Sequence, residues 1–481
     1  MSQSLLVDQY SRPMETAVAA SSNSYYSGTQ RTRHRSNRSS FVSDSRTTLN
    51  KAARQTLVGF ARTLYENYGE VKGAIDDVTR YSVGAGIRPQ SLAGDVATEY
   101  EQFFNEWAKN ADLAGQFSFW GLQRLASLRL DIDGDIGFNM VRGGNGWPFL
   151  QPIEAHRIAG DRNDKDHFDG VSISPKTGRP TAYHVKEEKG SKRIPAKDFI
   201  LISDAKRVNQ YRGVTSLAHA IADVWDIADI LDYEKVGVKM RSAIGMVMVT
   251  KGGTTDDALD IVESGYAAAD TGTVPWQTFD AGMIPRLQDG EDISEFGGNQ
   301  PSPAFQGFIE LLMRKTAVGL GLPFEFVWNP TDAGGATQRA VLAKAQRKFN
   351  ERGNLLDEKF NKRVWGWVIS KAIKRGDLPH SADWWKVRWQ HPKKITVDVG
   401  RESKEAREDI KMGLKTLADD AGERGQDWQE IRTQTEAENI DLIQRAKHIS
   451  ESEGIDLNMA LSLMSQRSAN PPIESNDAAA A

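Results

Sequence analysis

Two helical segments separated by a short loop constrain the possible fold of this chain more than any other feature. The sequence predicts helices over 303–320 and 336–374. Pro323 and Pro330 between them lack an amide donor, so the intervening segment cannot continue either helix. The segment is therefore predicted to project as a defined loop, with an aromatic base at Trp328 and a small polar tip.

Two motifs precede this loop in the chain. Segment 84–89 reads Gly-Ala-Gly-Ile-Arg-Pro, and segment 210–217 reads Gln-Tyr-Arg-Gly-Val-Thr-Ser-Leu. In this order with the helices and the loop, they resemble the tailed-phage portal proteins, closest to the lambda-like branch. Segment 210–217 looks like the Arg-Gly-(Val/Leu)-Ser-Pro-Leu motif that opens the first stem helix of many portals, with Thr215-Ser216 in place of Ser-Pro. The resemblance runs from about residue 50 to about residue 465.

The resemblance implies an α+β fold, mainly helical, with wing, stem, clip and crown regions that form a ring around a central channel. The implied regions are a wing at 49–215, a first stem helix at 216–243, a clip at 244–302, a second stem helix at 303–322, a tunnel loop at 323–335, a long wing helix with a Trp-rich segment at 336–392, and crown helices at 393–465. Residues 1–48 are predicted to be a disordered basic arm, and 466–481 a disordered tail.

The resemblance also implies a function. In that family a ring of twelve subunits, placed at one capsid vertex, forms the channel through which DNA is packaged and later ejected. The implied partners are further copies of the chain, double-stranded DNA, the terminase large subunit, the major capsid protein and head-tail adaptor proteins. The implied location is the virion, after assembly in the host cytoplasm. The ring also nucleates assembly of the head.

The tunnel loop would meet DNA at its tip. Identical tips would converge on the ring axis and touch the DNA backbone through Asn329, Thr331 and Asp332, none of which carries positive charge. Gly334 and Gly335 would act as a hinge, because glycine accepts many backbone conformations. The alternative is an ordinary surface connection between two helices.

The first stem segment is predicted to be an amphipathic helix that runs to about residue 240. Its apolar arc contains Leu217, Ile221, Val224, Ala228 and Leu231. Its opposite half contains Asp223, Asp226, Asp229 and Asp232. In a ring these carboxylates would line the channel and repel phosphate, so that DNA stays mobile. The alternative is a solvated face that pairs locally with Lys235 or Arg241.

Composition limits the possible functions. The 61 basic and 65 acidic residues give a net charge of −4, which disfavours a sequence-specific DNA reader and is compatible with a channel through which DNA slides. The absence of cysteine excludes disulfides and thiolate metal sites and indicates a reducing compartment. No apolar run reaches the length of a membrane span, so no membrane partner is expected.

Periodicity predicts the remaining elements. The pattern favours two helices over 48–83 broken at Gly69, helix over 98–130, and a β-rich unit over 134–202. Within 244–302, short strands are expected at 246–249 and 274–279 and a helix at 255–268. The tryptophans Trp365, Trp367, Trp384, Trp385 and Trp389 are interpreted as core or subunit interface. The apolar residues Leu414, Leu417, Trp428 and Ile431 are expected to anchor a small helical lobe.

No catalytic residues, metal site or cofactor are expected. The chain lacks a Gly-Lys dipeptide, so it has no phosphate-binding loop of a packaging ATPase, and it lacks metalloprotease and serine-hydrolase motifs. Asp131, Asp133 and Asp135 superficially resemble a calcium loop, but position 12 counted from Asp131 is Arg142 instead of glutamate. These carboxylates are interpreted as a turn that enters a strand.

Two other classes of function stay open from the sequence. One is a metal-dependent DNA-processing enzyme that uses scattered carboxylates such as Asp131, Asp133 and Asp135. The other is a capsid or head-completion protein without a channel. A DNA-cleavage assay with magnesium separates the first class from a portal, and images of the assembled protein separate the second.

Overall fold

The computed structural model describes residues 44–160, 166–188, 190–243, 247–250, 291–294, 303–328, 335–395, 399–424, 426 and 428–469. The chain divides into two units, Met1–Thr48 and Leu49–Ala481. The described part of the first unit contains the single helical turn α1, Ser45–Thr48. The rest of the predicted basic arm lies outside the described residues, as does most of the predicted tail.

The second unit begins with two helices, as the sequence predicted. They are α2 (Lys51–Asn67) and α3 (Gly69–Ser82), which meet at Tyr68. The side chain of Asn50 caps α2 by accepting a hydrogen bond from the amide of Ala53 at 2.9 Å. Both helices bury their periodic apolar residues, so the predicted amphipathic pattern is confirmed here.

The prediction of helix over 98–130 was only partly right. The structure has α4 (Ala97–Lys109) and α5 (Phe119–Ile132), separated by an irregular stretch. The carboxylate of Asp112 accepts hydrogen bonds from the amides of Ala114 and Gln116, which favours a turn over a helix. Gly115 in that turn adopts a positive φ, and Ser118 then caps α5.

The predicted β-rich unit is confirmed as two antiparallel sheets. The strands are β2 (Asp135–Arg142), β3 (Pro148–Glu154), β4 (His167–Phe168), β5 (Val171–Ile173), β6 (Pro180–Lys186), β7 (Ser191–Pro195) and β8 (Phe199–Ser203). One sheet has the order β3-β2-β8, and the other has the order β4-β5-β6-β7. A further strand, β1 (Arg88–Ser91), pairs with β11 (Val387–Gln390) far along the chain.

Two helices come after the β-rich unit and are separated by the segment where a clip was predicted. They are α6 (Ile221–Ala243) and α7 (Pro303–Leu320). Between them, β9 (Val247–Thr250) pairs antiparallel with β10 (Glu291–Ser294), which agrees with the strand expected near 246–249. The expected helix at 255–268 and strand at 274–279 lie outside the described residues.

The long helix predicted over 336–374 is confirmed, with one irregularity. It consists of α9 (Gly335–Leu356), a π-helical turn (Asp357–Asn361) and α10 (Lys362–Arg375), and a single helical turn, α8 (Phe324–Val327), precedes it. Trp365 and Trp389 are buried in the main core, and the indole of Trp365 donates to the carbonyl oxygen of Trp384 at 3.2 Å. The tryptophan cluster is therefore mainly core, although Trp385 is exposed.

The C-terminal segment is helical, as predicted. Its elements are α11 (Val399–Met412), α12 (Leu417–Glu423), α13 (Trp428–Glu453) and α14 (Leu457–Ala469). The proposed anchors were wrong in three cases, because Leu414, Leu417 and Ile431 are exposed in the single chain. Spacing alone does not say whether an apolar residue of a peripheral helix packs inside its own chain.

Two buried clusters hold these helices and sheets together. The larger one joins α4, α5, the β2-containing sheet and α10. The second, called here the root cluster, is where α2 and α3 meet the start of α6, the end of α7 and the middle of α9. From these three helices and the residues next to them it includes Leu217, Ala220, Ile221, Val224, Leu320, Leu322, Ala345 and Phe349.

Candidate functional site

The helix pair α6 and α7 is buried at its root and exposed toward its far end. Ile221, Val224 and Ile227 are buried, whereas every described side chain of α6 from Ala228 onward is at least partly exposed. The helix itself begins at Ile221, later than the predicted start at 216, and Leu217 is buried just before it. Only the part of the predicted apolar arc near the root cluster is therefore buried.

The four predicted channel aspartates have different surroundings. Asp223 is partly buried and forms an ion pair with Lys315 of α7 at 2.6 Å. Asp232 pairs with Lys235 of its own helix at 2.9 Å. Asp226 and Asp229 are exposed. Since residues three apart are turned by about 60° on a helix, the four carboxylates spread over about half its circumference.

The base of the predicted tunnel loop is firmly attached to the root cluster. Gly321 adopts φ +78° and ends α7, where the amide of Leu322 donates to the carbonyl oxygen of Ala317 at 3.0 Å. Phe324 in α8 is buried, with the guanidinium of Arg314 4.6 Å from its ring centroid. A helical turn therefore occupies part of the segment that was predicted to be loop.

The tip of the loop is only partly within the described residues. Asn329, Thr331, Asp332 and Gly334 lie outside them, so their proposed roles stay predictions. Gly335 is the first residue of α9, and a Cβ added there would meet no atom within 4 Å. Trp328 at the loop base has an exposed side chain.

Apolar surface remains open around the helix pair. The exposed residues, each at least 44% accessible, are Tyr233, Val236 and Val238 on α6, Phe308, Leu311 and Val318 on α7, and Trp328. A groove of about 490 Å³ lies beside them, formed by the α2–α3 elbow, α6, α7 and α8. Its α7 lining consists of Met313, Thr316, Ala317 and Leu320.

The Arg-Gly pair of segment 210–217 forms a buried junction with the β sheets. The guanidinium of Arg212 donates to both carboxylate oxygens of Asp135, at 2.7 and 2.9 Å. It also donates to the carbonyl oxygens of Ala155, Ile158 and Asp169. Burial alone would lower the pKa of Arg212, but the charge and hydrogen bonds of Asp135 outweigh burial and raise it.

Gly213 comes directly after Arg212 and lies against the backbone of Gly134. A Cβ at Gly213 would be 1.8 Å from the carbonyl oxygen of Gly134, so no other residue fits without backbone movement. The amide of Gly213 donates to Asp135 at 2.7 Å. The motif therefore joins the chain entering α6 to the start of β2.

The three aspartates between α5 and β2 are each held by a different arginine. Asp131 pairs with Arg352 at 2.6 Å, Asp133 with Arg62 at 2.7 Å, and Asp135 with Arg212. All three carboxylates are buried. The interpretation as a turn before a strand is confirmed, since α5 ends at Ile132 and β2 begins at Asp135.

The nuclease alternative used these three carboxylates, and the structure shows each of them in an ion pair with a guanidinium group. Across the part of the chain that the structure describes, no group of three or more His, Asp or Glu side chains could hold a metal ion. No helix in that part is both long and apolar enough to cross a membrane.

The match to a family model decides the classification. The model of the phage portal proteins of the lambda family matches residues 31–352, more than half of the chain. The chain belongs to this family. The match includes α6, α7, the predicted tunnel loop and α9 as far as Arg352.

The solved structures that are similar to this portal protein have low sequence identity to it. The neck of a native gene transfer agent particle, computed with C12 symmetry, is 14% identical with a TM-score of 0.44, over 77% of this chain and 92% of that chain. The neck of an empty particle, computed with C6 symmetry, is 14% identical with a TM-score of 0.45, over 77% and 93%. A portal protein of the HK97 family from Corynebacterium diphtheriae is 12% identical with a TM-score of 0.33, over 69% and 98%.

Sequence reasoning did not find the arginines that hold these aspartates. Arg62 and Arg352 lie far from Asp131 and Asp133 in the chain and belong to no motif. A useful signal was present, however. Three aspartates at alternate positions before a buried strand require three counter-charges once they are buried, because an isolated buried carboxylate is costly.

Proposed function

We propose that this protein forms the ring-shaped DNA channel of a tailed phage. The observation that carries the proposal is the family match, which spans α6, α7 and the predicted tunnel loop. In this proposal the loop tips meet the DNA backbone through Asn329, Thr331 and Asp332, while Asp226 and Asp229 repel it. The exposure of these two carboxylates in the single chain supports the second role.

The distribution of apolar surface supports assembly into a closed ring. On α7, the groove residues Met313 and Ala317 and the exposed residues Leu311 and Val318 lie on opposite sides at 100° per residue. One copy thus carries a groove on one side and an apolar stripe on the other. Contacts between two different surfaces of identical chains produce rings when the rotation closes.

The finer roles belong to the same proposal. They are a ring of twelve subunits at a unique capsid vertex, packaging by the terminase large subunit, contact with the major capsid protein, docking of head-tail adaptors and assembly in the host cytoplasm. They rest on family membership. The C-terminal helices with their exposed apolar residues would then form the crown.

Assembly is tested by placing a charge in the stripe. Leu311→Asp should shift the protein from rings to monomers in mass photometry, because a carboxylate would be buried in the neighbour's groove. Val208→Asp is the matched control, since Val208 is fully exposed in the wing. Rings of normal size from Leu311→Asp would contradict the proposed contact.

The channel role is tested by deleting 331–334. Assembled heads are then scored separately for rings and for packaged DNA. Intact rings with lost or leaking DNA are expected, because the shortened loops no longer reach the DNA. Normal packaging by the deleted form would exclude a role for the loop in the channel.

A further inference from the structure

One buried carboxylate connects the start of the first stem helix to the helix that comes after the tunnel loop. The backbone carbonyl of Asp131, at the end of α5, accepts hydrogen bonds from the Thr215 hydroxyl at 2.8 Å and the Ser216 amide at 3.0 Å. Its Oδ1 atom accepts a further bond from the Ser216 hydroxyl at 2.6 Å. These bonds hold the chain five residues before α6 begins.

The same Oδ1 atom also binds α9. Nη2 of Arg352 donates to it at 2.6 Å, and Nη1 of Arg352 donates to the carbonyl oxygen of Ser127 at 2.6 Å. Arg352 is buried, so water does not compete for these bonds. Asp131, Ser216 and Arg352 are called here the Asp131 joint.

The joint has an unused bonding position. Oδ2 of Asp131 is buried and has no hydrogen-bond partner among the described residues. Two donors from two different elements therefore share one oxygen while the second oxygen is free. Since an ionised carboxylate accepts on both oxygens, a donor that leaves Oδ1 still has an acceptor at Oδ2 of the same side chain.

A change at Arg352 is transmitted along α9 to the tunnel loop. Ala345 of the same helix is buried in the root cluster, so the free arm runs from Gly335 to Ala345, about 15 Å at 1.5 Å per residue, and a tilt of about 8° would move its start by about 2 Å. That start carries the C-terminal end of the tunnel loop. The other end of the loop is fixed to the root cluster through Leu322, and Phe326 and Val327 pack against that cluster.

We propose that the Asp131 joint is a positioning device that couples the first stem helix to the tunnel loop. A displacement of the stem moves Ser216, changes how Asp131 holds Arg352, and thereby tilts α9. The coupling itself concerns this chain's own helices. Its consequence for DNA rests on the proposed function.

The chain contains no cysteine, so two spin labels can be attached to introduced cysteines without first replacing native ones. The substitutions are Val236→Cys on α6 and Thr337→Cys on α9, both at exposed positions. Labelled protein is assembled with an excess of unlabelled protein, and pulsed electron paramagnetic resonance gives the distance between the labels within one subunit. No DNA is present in this measurement.

Asp131→Asn and Arg352→Met should shift or broaden this distance distribution by about 2 Å, as a tilt of about 8° over the free arm of α9 requires. Arg352→Lys keeps the charge and should restore much of the parent distribution. Arg54→Met is the matched control, because it breaks another buried ion pair, with Asp169. It should lower thermal stability and leave the distance unchanged.

The proposal is overturned if Asp131→Asn and Arg352→Met give the parent distribution, or if Arg54→Met changes it to the same extent. Because the distance is measured without DNA, this result does not depend on whether the loop meets DNA. The deletion of 331–334 tests that separate question.

Discussion

The strongest single prediction concerns the buried pair of Arg212 and Asp135. Arg212→Met keeps a long side chain but removes the charge and every hydrogen-bond donor of the guanidinium. In the parent, both side chains of the pair are fully buried. The substitution would leave the Asp135 carboxylate without its counter-charge, and three backbone carbonyls would lose their donor.

The expected loss depends on the kind of contact that is broken. Removing one partner of a buried ion pair destabilises a protein by about 3–5 kcal/mol. A unit as long as Leu49–Ala481 loses about 1 °C in Tm per kcal/mol, because its unfolding entropy grows with length. Arg212→Met is therefore expected to lower Tm by about 3–5 °C in a scan of tryptophan fluorescence.

Two controls separate the buried charge from other effects. Arg432→Gln removes a partner of the exposed Arg432–Glu436 pair and should leave Tm unchanged. The double variant Asp135→Asn with Arg212→Met should recover part of the loss, because the buried charge is gone. It should not recover all of it, since the three carbonyls still lack the guanidinium donor. If Arg212→Met and Arg432→Gln had the same Tm, the role assigned to the pair would be refuted.

Substitutions at three other places in the chain have equally specific expected outcomes. Gly213→Ala should destabilise the protein strongly in the same Tm scan because its Cβ would overlap the backbone, whereas Gly73→Ala in α3, with open space around it, should be neutral or raise Tm slightly. Replacing Asp226 and Asp229 together by Lys should increase DNA retention in a filter-binding assay of assembled rings, and unchanged retention would identify them as an ordinary solvated face. Gly335→Ala should fold normally, since nothing surrounds its Cβ; a drop in packaged DNA with intact rings would then support a hinge, and full packaging would exclude one.

Local chemistry in the sequence was sufficient for most of the helices. Glycine and proline at 321–335 marked the interruption between α7 and α9, because these residues restrict or release the backbone wherever they occur. The break between α4 and α5 was missed although Asp112, Gly115 and Ser118 supply turn and cap chemistry there. The apolar period over 98–130 outweighed these short-range signals in the prediction.

Periodicity did not predict whether the apolar residues of the C-terminal helices pack inside their own chain. Leu414, Leu417 and Ile431 have the spacing of anchors and are nevertheless exposed in the single chain. An apolar residue of a peripheral helix satisfies the same spacing rule whether it packs inside its own chain or against a neighbour. The sequence therefore determined that these segments are helices and left their packing undetermined.

The aspartates at 131, 133 and 135 show most clearly what the sequence predicts and what only the tertiary structure decides. The sequence by itself determined a turn between helix and strand, and the resemblance supplied the family. Only the folded chain brings Arg62, Arg352 and Arg212 to these carboxylates, from three distant segments. The physical reason is that burial makes an unpaired carboxylate costly without specifying which arginine will neutralise it. That choice depends on long-range packing, which local spacing does not encode.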